Sequence, residues 1–179
     1  EQACQQFVVS KPDVVIMDLS LPGIGGLEAI RRIRARESSA AILVFSMHDE
    51  PAFVDKALQA GALGYISKKN APEIMLDALR NVARGQSYLD HRLAQELALQ
   101  KARGHQDVFA GLTTREFEIF CLLAQGKTPQ ETASDLAISY KTVANYTTQI
   151  KSKLGVKNNT ELAHLAMKHG VIAPPVVRD

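Results

Sequence analysis

The sequence predicts an α/β unit built on a doubly wound parallel sheet, followed by an all-α helix-turn-helix unit of four short helices. Three observations predict this fold class. Short apolar runs rich in β-branched residues alternate with stretches of helical periodicity as far as Gly85. No strand candidate remains after Gly111. In that last third, three side-chain oxygens suited to capping each stand three residues before a glutamate.

In the first half, Val14-Val15-Ile16-Met17 and Ala41-Ile42-Leu43-Val44-Phe45 read as strands buried on both faces, and Gly64-Tyr65-Ile66 as a weaker third. Between them Leu27, Ile30 and Ile33 recur at helical spacing, with Arg31, Arg32 and Arg34 on other faces. Phe53, Val54, Ala57 and Leu58 do the same before Gly61. A further helix runs from Pro72 through Ile74, Met75, Leu79 and Val82 to a stop near Gly85. Leu93 and Leu97 suggest one more amphipathic helix, and Arg103-Gly104-His105-Gln106-Asp107 reads as a polar linker.

Beyond Gly111 the helix punctuation is dense. Thr113 with Glu116 and Thr128 with Glu131 form capping-box patterns, and Asn158 with Glu161 is the asparagine analogue. Pro129 occupies a first-turn position, Ser139 can cap a helix from Tyr140 to Leu154, and Gly126, Gly155 and Gly170 follow as stops. The expected limits are 1–86 for the α/β unit, 87–109 for a linker containing a helix, 110–173 for the helical unit and 174–179 for a tail.

Composition narrows the function class without naming it. The 179 residues are 46% hydrophobic, enough for two packed units, and 21 basic against 19 acidic residues leave a net charge of +2. Any nucleic-acid surface must therefore be local. Cys4 and Cys121 lie in no CxxC pair and are expected to be reduced, packed thiols. There is no run of ~18 apolar residues to span a membrane and no signal peptide, so a cytoplasmic setting without membrane association is expected. The chain has no initiator Met and opens in what reads as a helix, so it is expected to be N-terminally incomplete.

The helices around Pro129–Leu136 and Tyr140–Leu154 are separated by Ala137-Ile138-Ser139, short enough for a helix-turn-helix. From Ser139 to Lys157 there are four lysines, Lys141, Lys151, Lys153 and Lys157, and no acidic residue. On charge alone a solvated helix face accounts for them equally well. The short turn decides for double-stranded DNA, as do Thr142, Asn145, Thr147, Thr148 and Gln149, which can meet base edges while lysines neutralise phosphates. Val143, Ile150 and Leu154 fall on the opposite, inward face.

Residues 112–166 resemble the LuxR-type helix-turn-helix of the NarL/FixJ response regulators. Four separated blocks carry the resemblance: Leu112-Thr113-Thr114-Arg115-Glu116, Leu122-Leu123-Ala124-Gln125-Gly126, Lys141-Thr142-Val143 and Lys153-Leu154-Gly155. It implies a recognition helix in the major groove, with Lys141 and Thr142 at phosphate or the first bases and Ala144, Asn145 and Thr148 facing the bases. Lys151 and Lys153 complete the expected DNA-binding set. Ala144 and Thr148 stand where several relatives carry a basic residue, and Tyr146 where histidine is frequent. Asn145 to adenine, and methyl contacts from Ala144 or Thr148 to thymine, are therefore expected in place of a guanine contact.

In the first half, Asp18 ends the first strand, and Ser46 and Lys68 should follow the second and third on the same sheet edge. A carboxylate, a hydroxyl and an ammonium converging there suit an aspartyl-phosphate, with Asp18 as nucleophile and Ser46 and Lys68 bonding phosphoryl oxygens. Residues 12–34 and 42–79 resemble the receiver domain of response regulators, a resemblance that covers about residues 1 to 85. It implies a flavodoxin-like five-stranded sheet with its first strands missing here, Asp18 as phosphoacceptor, and Ser46, Tyr65 and Lys68 as the phosphate switch. The same residue, read without the resemblance, makes Tyr65 a half-buried strand aromatic. The resemblance also implies Mg2+ held by Asp18, a main-chain carbonyl near Ser20, and an acidic pair on a strand that would precede Glu1. Without that pair the chain as written is expected to phosphorylate poorly, and the edges of its remaining strands to lie open.

Taken together, the resemblance implies a two-component transcription regulator, controlled by aspartyl phosphorylation from a histidine kinase and binding DNA as a homodimer rather than acting as an enzyme. A regulator independent of phosphate, whose receiver-like half only dimerises, is the first rival. An α/β hydrolase using Ser46, His48 and Asp18 is the second, but Phe45-Ser46-Met47 is no GxSxG elbow. Gly23-Ile24-Gly25-Gly26 lacks the spacing of a dinucleotide fingerprint.

Overall fold

The computed structural model describes residues 1–70, 72–102 and 108–173, and these fall into two compact units, Glu1–Asp107 and Val108–Asp179. The expected polar linker at 103–107 and the expected tail at 174–179 lie outside the described residues.

The first unit runs α1 (Gln2–Ser10), β1 (Val15–Met17), α2 (Gly26–Arg36), β2 (Ile42–Ser46), α3 (Pro51–Ala60), β3 (Gly64–Ser67), α4 (Pro72–Ala83), β4 (Tyr88–Leu89) and α5 (His91–Ala102). The four strands form one parallel sheet in the order β1-β2-β3-β4. Burial on both faces explains the unbroken apolar strands: Ile42, Leu43 and Val44 are successive residues on opposite faces, and all three are buried. On one face Leu43 and Ile66 pack with Ala78 and Val82 of α4, with Phe45, Ile74, Met75 and Leu79 around them. On the helical side α2 packs against α1 and α3, and α3 against α5.

Strand β4 was not expected. It is two residues long, too short for alternation to declare it, and it forms because Tyr88 and Leu89 continue the parallel ladder beside Gly64 and Tyr65 of β3. A side chain at Gly64 would meet Val82 Cγ2 at 2.8 Å and the Tyr88 carbonyl oxygen at 3.0 Å, so the close approach of β4 depends on that glycine. Helix α5, expected from Leu93 and Leu97, buries both residues.

The second unit holds α6 (Thr114–Ala124), α7 (Pro129–Asp135), α8 (Tyr140–Leu154) and α9 (Asn159–Lys168). Their caps are those the sequence predicts. Thr113 and Thr128 make reciprocal capping boxes with Glu116 and Glu131, while Ser139 accepts from the Thr142 amide and Asn158 from the Glu161 amide. Phe117, Phe120, Val143, Ile150, Leu162 and Ala166 fill the core, and Leu154, expected inward, is half-buried. Phe109 joins that core, 4.9 Å from the Phe120 ring and 5.6 Å from that of His169. Both cysteines are free and buried. Among the described residues no helix is long and apolar enough to cross a membrane.

Candidate functional sites

The parallel register puts three chemistry-bearing residues at the ends of three adjacent strands. Ser46 and Ser67 are paired across β2 and β3, so Lys68 leaves β3 beside the end of β2, and Met17 pairs with Val44, so Asp18 leaves β1 on the same edge. The Lys68 ammonium donates to Asp18 Oδ2, and the Ser20 amide donates to Oδ1 at 3.0 Å. The Lys68 ammonium also lies 5.7 Å from the centre of the Phe45 ring. Burial pushes the Asp18 carboxyl up, but Lys68 and the Ser20 and Leu19 amides outweigh it and hold it below the ordinary aspartate value. Asp18 is thus an ionised, partly exposed carboxylate, the form a nucleophile requires.

Glycine fixes where that carboxylate stands. A Cβ at Gly26, the first residue of α2, would lie 2.4 Å from the Asp18 carbonyl oxygen and 2.6 Å from Leu19 Cα. Only glycine lets α2 begin against the backbone that carries Asp18.

Ser46 is fully buried, and its hydroxyl accepts from the His48 amide at 3.2 Å. Tyr65, read from sequence either as a switch or as a half-buried strand residue, is fully buried, and its hydroxyl donates to the His48 carbonyl. Burial raises its phenol far above the ordinary tyrosine value, so it remains a neutral donor. The hydrolase grouping gains no geometry: the His48 ring stacks on Phe53 at 4.1 Å and faces Glu50 at 3.7 Å. Lys68 and its neighbour Lys69 part company, since Lys69 reaches Asp49 at 3.0 Å while Lys68 takes Asp18.

Magnesium does not fit the residues present. A hard divalent cation asks for several oxygen donors, commonly one or two of them carboxylates. Asp18 Oδ2 is paired with Lys68, and among the described residues no group of three or more His, Cys, Asp or Glu side chains could hold a metal ion.

In the second unit, α7 and α8 pack against each other across the turn 136–139. Ala137 adopts φ 50°, a left-handed conformation that costs a non-glycine residue about 1–3 kcal/mol and turns the chain sharply. Arg115 of α6 supports this turn, donating to the Leu136 carbonyl at 3.0 Å and to Glu118 at 3.0 Å. Val143 and Ile150 are fully buried, which leaves Lys141, Asn145 and Thr148 on the outward face and Thr142, Ala144 and Lys151 at its flanks. The Thr148 hydroxyl donates back to the Ala144 carbonyl at 3.1 Å, so its methyl and oxygen lone pairs are what remain for a ligand.

Lys153 differs from the other lysines of the predicted set. Its ammonium donates to Glu116 Oε2 at 2.7 Å, the same carboxylate oxygen that accepts from the Thr113 amide at 2.7 Å. The capping box was legible in sequence. Its link to α8 spans 37 residues and had no local signal.

A parallel sheet whose strand ends present a carboxylate, a hydroxyl and an ammonium, followed in the chain by a capped helix-turn-helix, defines a receiver-type unit joined to a DNA-reading unit. Residues 1–80 match the response regulator receiver domain, and residues 110–166 match the bacterial regulatory proteins of the luxR family. The chain belongs to the NarL/FixJ-type response regulators, DNA-binding transcription regulators of two-component systems. It is 46% identical to the transcriptional activator protein ExaE of Pseudomonas putida, over 96% of this chain and 82% of that protein. It is 40% identical to the response regulator UvrY of Escherichia coli (strain K12), over 96% of this chain and 79% of that protein. Among solved structures it is similar to RcsB of Salmonella enterica serovar Typhimurium bound to promoter rprA in the presence of phosphomimetic BeF3-. That likeness has a TM-score of 0.64 and 27% identity, and covers 92% of this chain and 80% of that one.

Proposed function

We propose that Asp18 is the phosphoacceptor of this regulator, that Ser46, Tyr65 and Lys68 read its phosphorylation, and that α8 reads DNA. In this reading residues 1–86 form the receiver, 87–109 the connector and 110–173 the DNA reader. The observation that carries the first part is the Lys68–Asp18 pair at the ends of β3 and β1, with Ser46 at the end of β2 between them. A histidine kinase is the expected donor. An Asp18 oxygen attacks the phosphorus of its phosphohistidine, the P–N bond breaks, and the imidazole keeps the electron pair and takes up a proton. Lys68 is placed to transfer its bond from the carboxylate to a phosphoryl oxygen, and the buried Ser46 hydroxyl to follow. Receiver domains generally use Mg2+ for this chemistry.

For the DNA reader, the outward face of α8 and its flanks support Lys141 and Lys151 as phosphate contacts, Thr142 at phosphate or the first bases, and Ala144, Asn145 and Thr148 as base-facing residues. Lys153 acts on this surface through Glu116. The expected binding form is a homodimer on two half-sites, the usual arrangement for helix-turn-helix regulators, and the expected setting for work on DNA is the cytoplasm. The deciding experiment labels the intact protein and its Asp18→Asn variant with radioactive acetyl phosphate. Acid-labile, base-labile label on the first and none on the second is expected; equal labelling of both would remove Asp18 as acceptor.

A further inference from the structure

Three consecutive residues leaving β3 bind three carboxylates from three places in the chain. Lys68 binds Asp18 after β1, Lys69 binds Asp49 after β2 at 3.0 Å, and the Asn70 amide donates to Asp90 Oδ2 at 2.9 Å. The last two lead to the same destination. Asp90 is buried and caps α5, its Oδ1 accepting from the Leu93 amide at 3.0 Å. Arg92, in the first turn of α5, donates to Asp49 Oδ2 at 2.8 Å and to Glu96 at 2.9 Å, so Asp49 Oδ2 joins the loop after β3 to α5 through two cations. Strand β4, hydrogen-bonded to β3, delivers the chain directly into Asp90.

We propose that Asp49, Asn70, Asp90 and Arg92 form a tether through which the state of Asp18 sets how firmly the start of α5 is held. Among the described residues, α5 is the last helix before the chain enters the DNA-reading unit, which gives the tether its consequence. Lys68, Lys69 and Asn70 follow one another at the end of β3, so a backbone shift at Lys68 is shared by the two residues that hold the tether. Neither link rests on an isolated surface ion pair: Asp90 is 6% exposed with both oxygens occupied, and the side chain of Asp49, 16% exposed, is held from two sides. Burial pushes the Asp49 carboxyl up, but Lys69 and Arg92 outweigh it and keep it charged. The tether deepens the phosphoacceptor reading of Asp18 and rests on it for its regulatory meaning.

Hydrogen–deuterium exchange of α5, followed by mass spectrometry, tests the coupling without any phosphate. Four proteins are compared: the parent, Asp18→Asn, the double variant Asn70→Ala with Arg92→Ala, and the triple variant. Loss of the Asp18 charge slackens Lys68, so Asp18→Asn should speed exchange in the first turns of α5 by roughly threefold or more. The double variant should speed it further, and adding Asp18→Asn to it should change nothing. Leu93 and Leu97, the buried anchors of α5, are left untouched by every substitution, so exchange is expected to remain slow enough to measure. Parent-like exchange in Asp18→Asn, or the same acceleration with the tether already cut, would overturn the proposal. Acetyl phosphate labelling separates the two failures: coupling without label defeats Asp18 as acceptor, and label without coupling defeats only the tether.

Discussion

Lys153, in the last turn of α8, and Glu116, in the first turn of α6, share a charge-assisted hydrogen bond of 2.7 Å, in which the carboxylate is 3% exposed and the lysine side chain 40%. The relationship makes one glutamate do two jobs, since it also completes the cap at Thr113. Helix α8, the proposed recognition helix, is therefore fastened to the start of α6 at the end opposite its Ser139 cap.

Replacing Lys153 by alanine should lower the stability of the helical unit by about 1–3 kcal/mol, because the buried Glu116 carboxylate loses its cation. Chemical denaturation measures this. The salt dependence of DNA binding should change little, and a fall as large as that caused by Lys141→Ala would make Lys153 a phosphate contact instead.

Lys141→Ala should weaken DNA binding nearly uniformly across sequences and reduce the slope of log K against log salt by about 0.9, one phosphate contact. Asn145→Ala should instead relax base choice, costing about 1–3 kcal/mol against the preferred site. Titrations on the preferred and mismatched duplexes at several salt concentrations distinguish the two. Identical behaviour of both variants would displace α8 from the groove.

Gly26→Ala should disturb the proposed phosphoacceptor site from behind. The added methyl must displace Asp18 or Leu19 backbone, which overpacking data place at about 1–3 kcal/mol, and acetyl phosphate labelling should fall with it. Undiminished labelling and stability would mean that the β1–α2 junction yields freely.

Acid should loosen the helical unit through Glu116. Burial raises its carboxyl, but Lys153 and Thr113 outweigh this and hold the folded value below the ordinary one. A depressed carboxyl contributes stability above the unfolded value, about 4.3, and loses it as pH falls through the folded value. Stability measured from pH 6 down to 3 should therefore fall more steeply in the parent than in Glu116→Gln. Parallel curves would show that Glu116 carries none of the acid sensitivity.

The sequence by itself determined the local structure. Oxygen caps, first-turn prolines and closing glycines act within a few residues, so the four helices of the second unit were legible, with α8 placed at its observed limits. Unbroken apolar runs marked strands buried on both faces, and the order of strand ends put Asp18, Ser46 and Lys68 on one edge. Tertiary structure decided what joins across the chain. It gave Lys69 to Asp49, buried Tyr65 completely, added β4, took Lys153 for Glu116 and drew Asp49, Asn70, Asp90 and Arg92 together. The physical reason is range. Periodicity and capping are properties of neighbouring residues, whereas these pairings join charged or polar groups 20 to 50 positions apart, and only the fold brings them within a hydrogen bond.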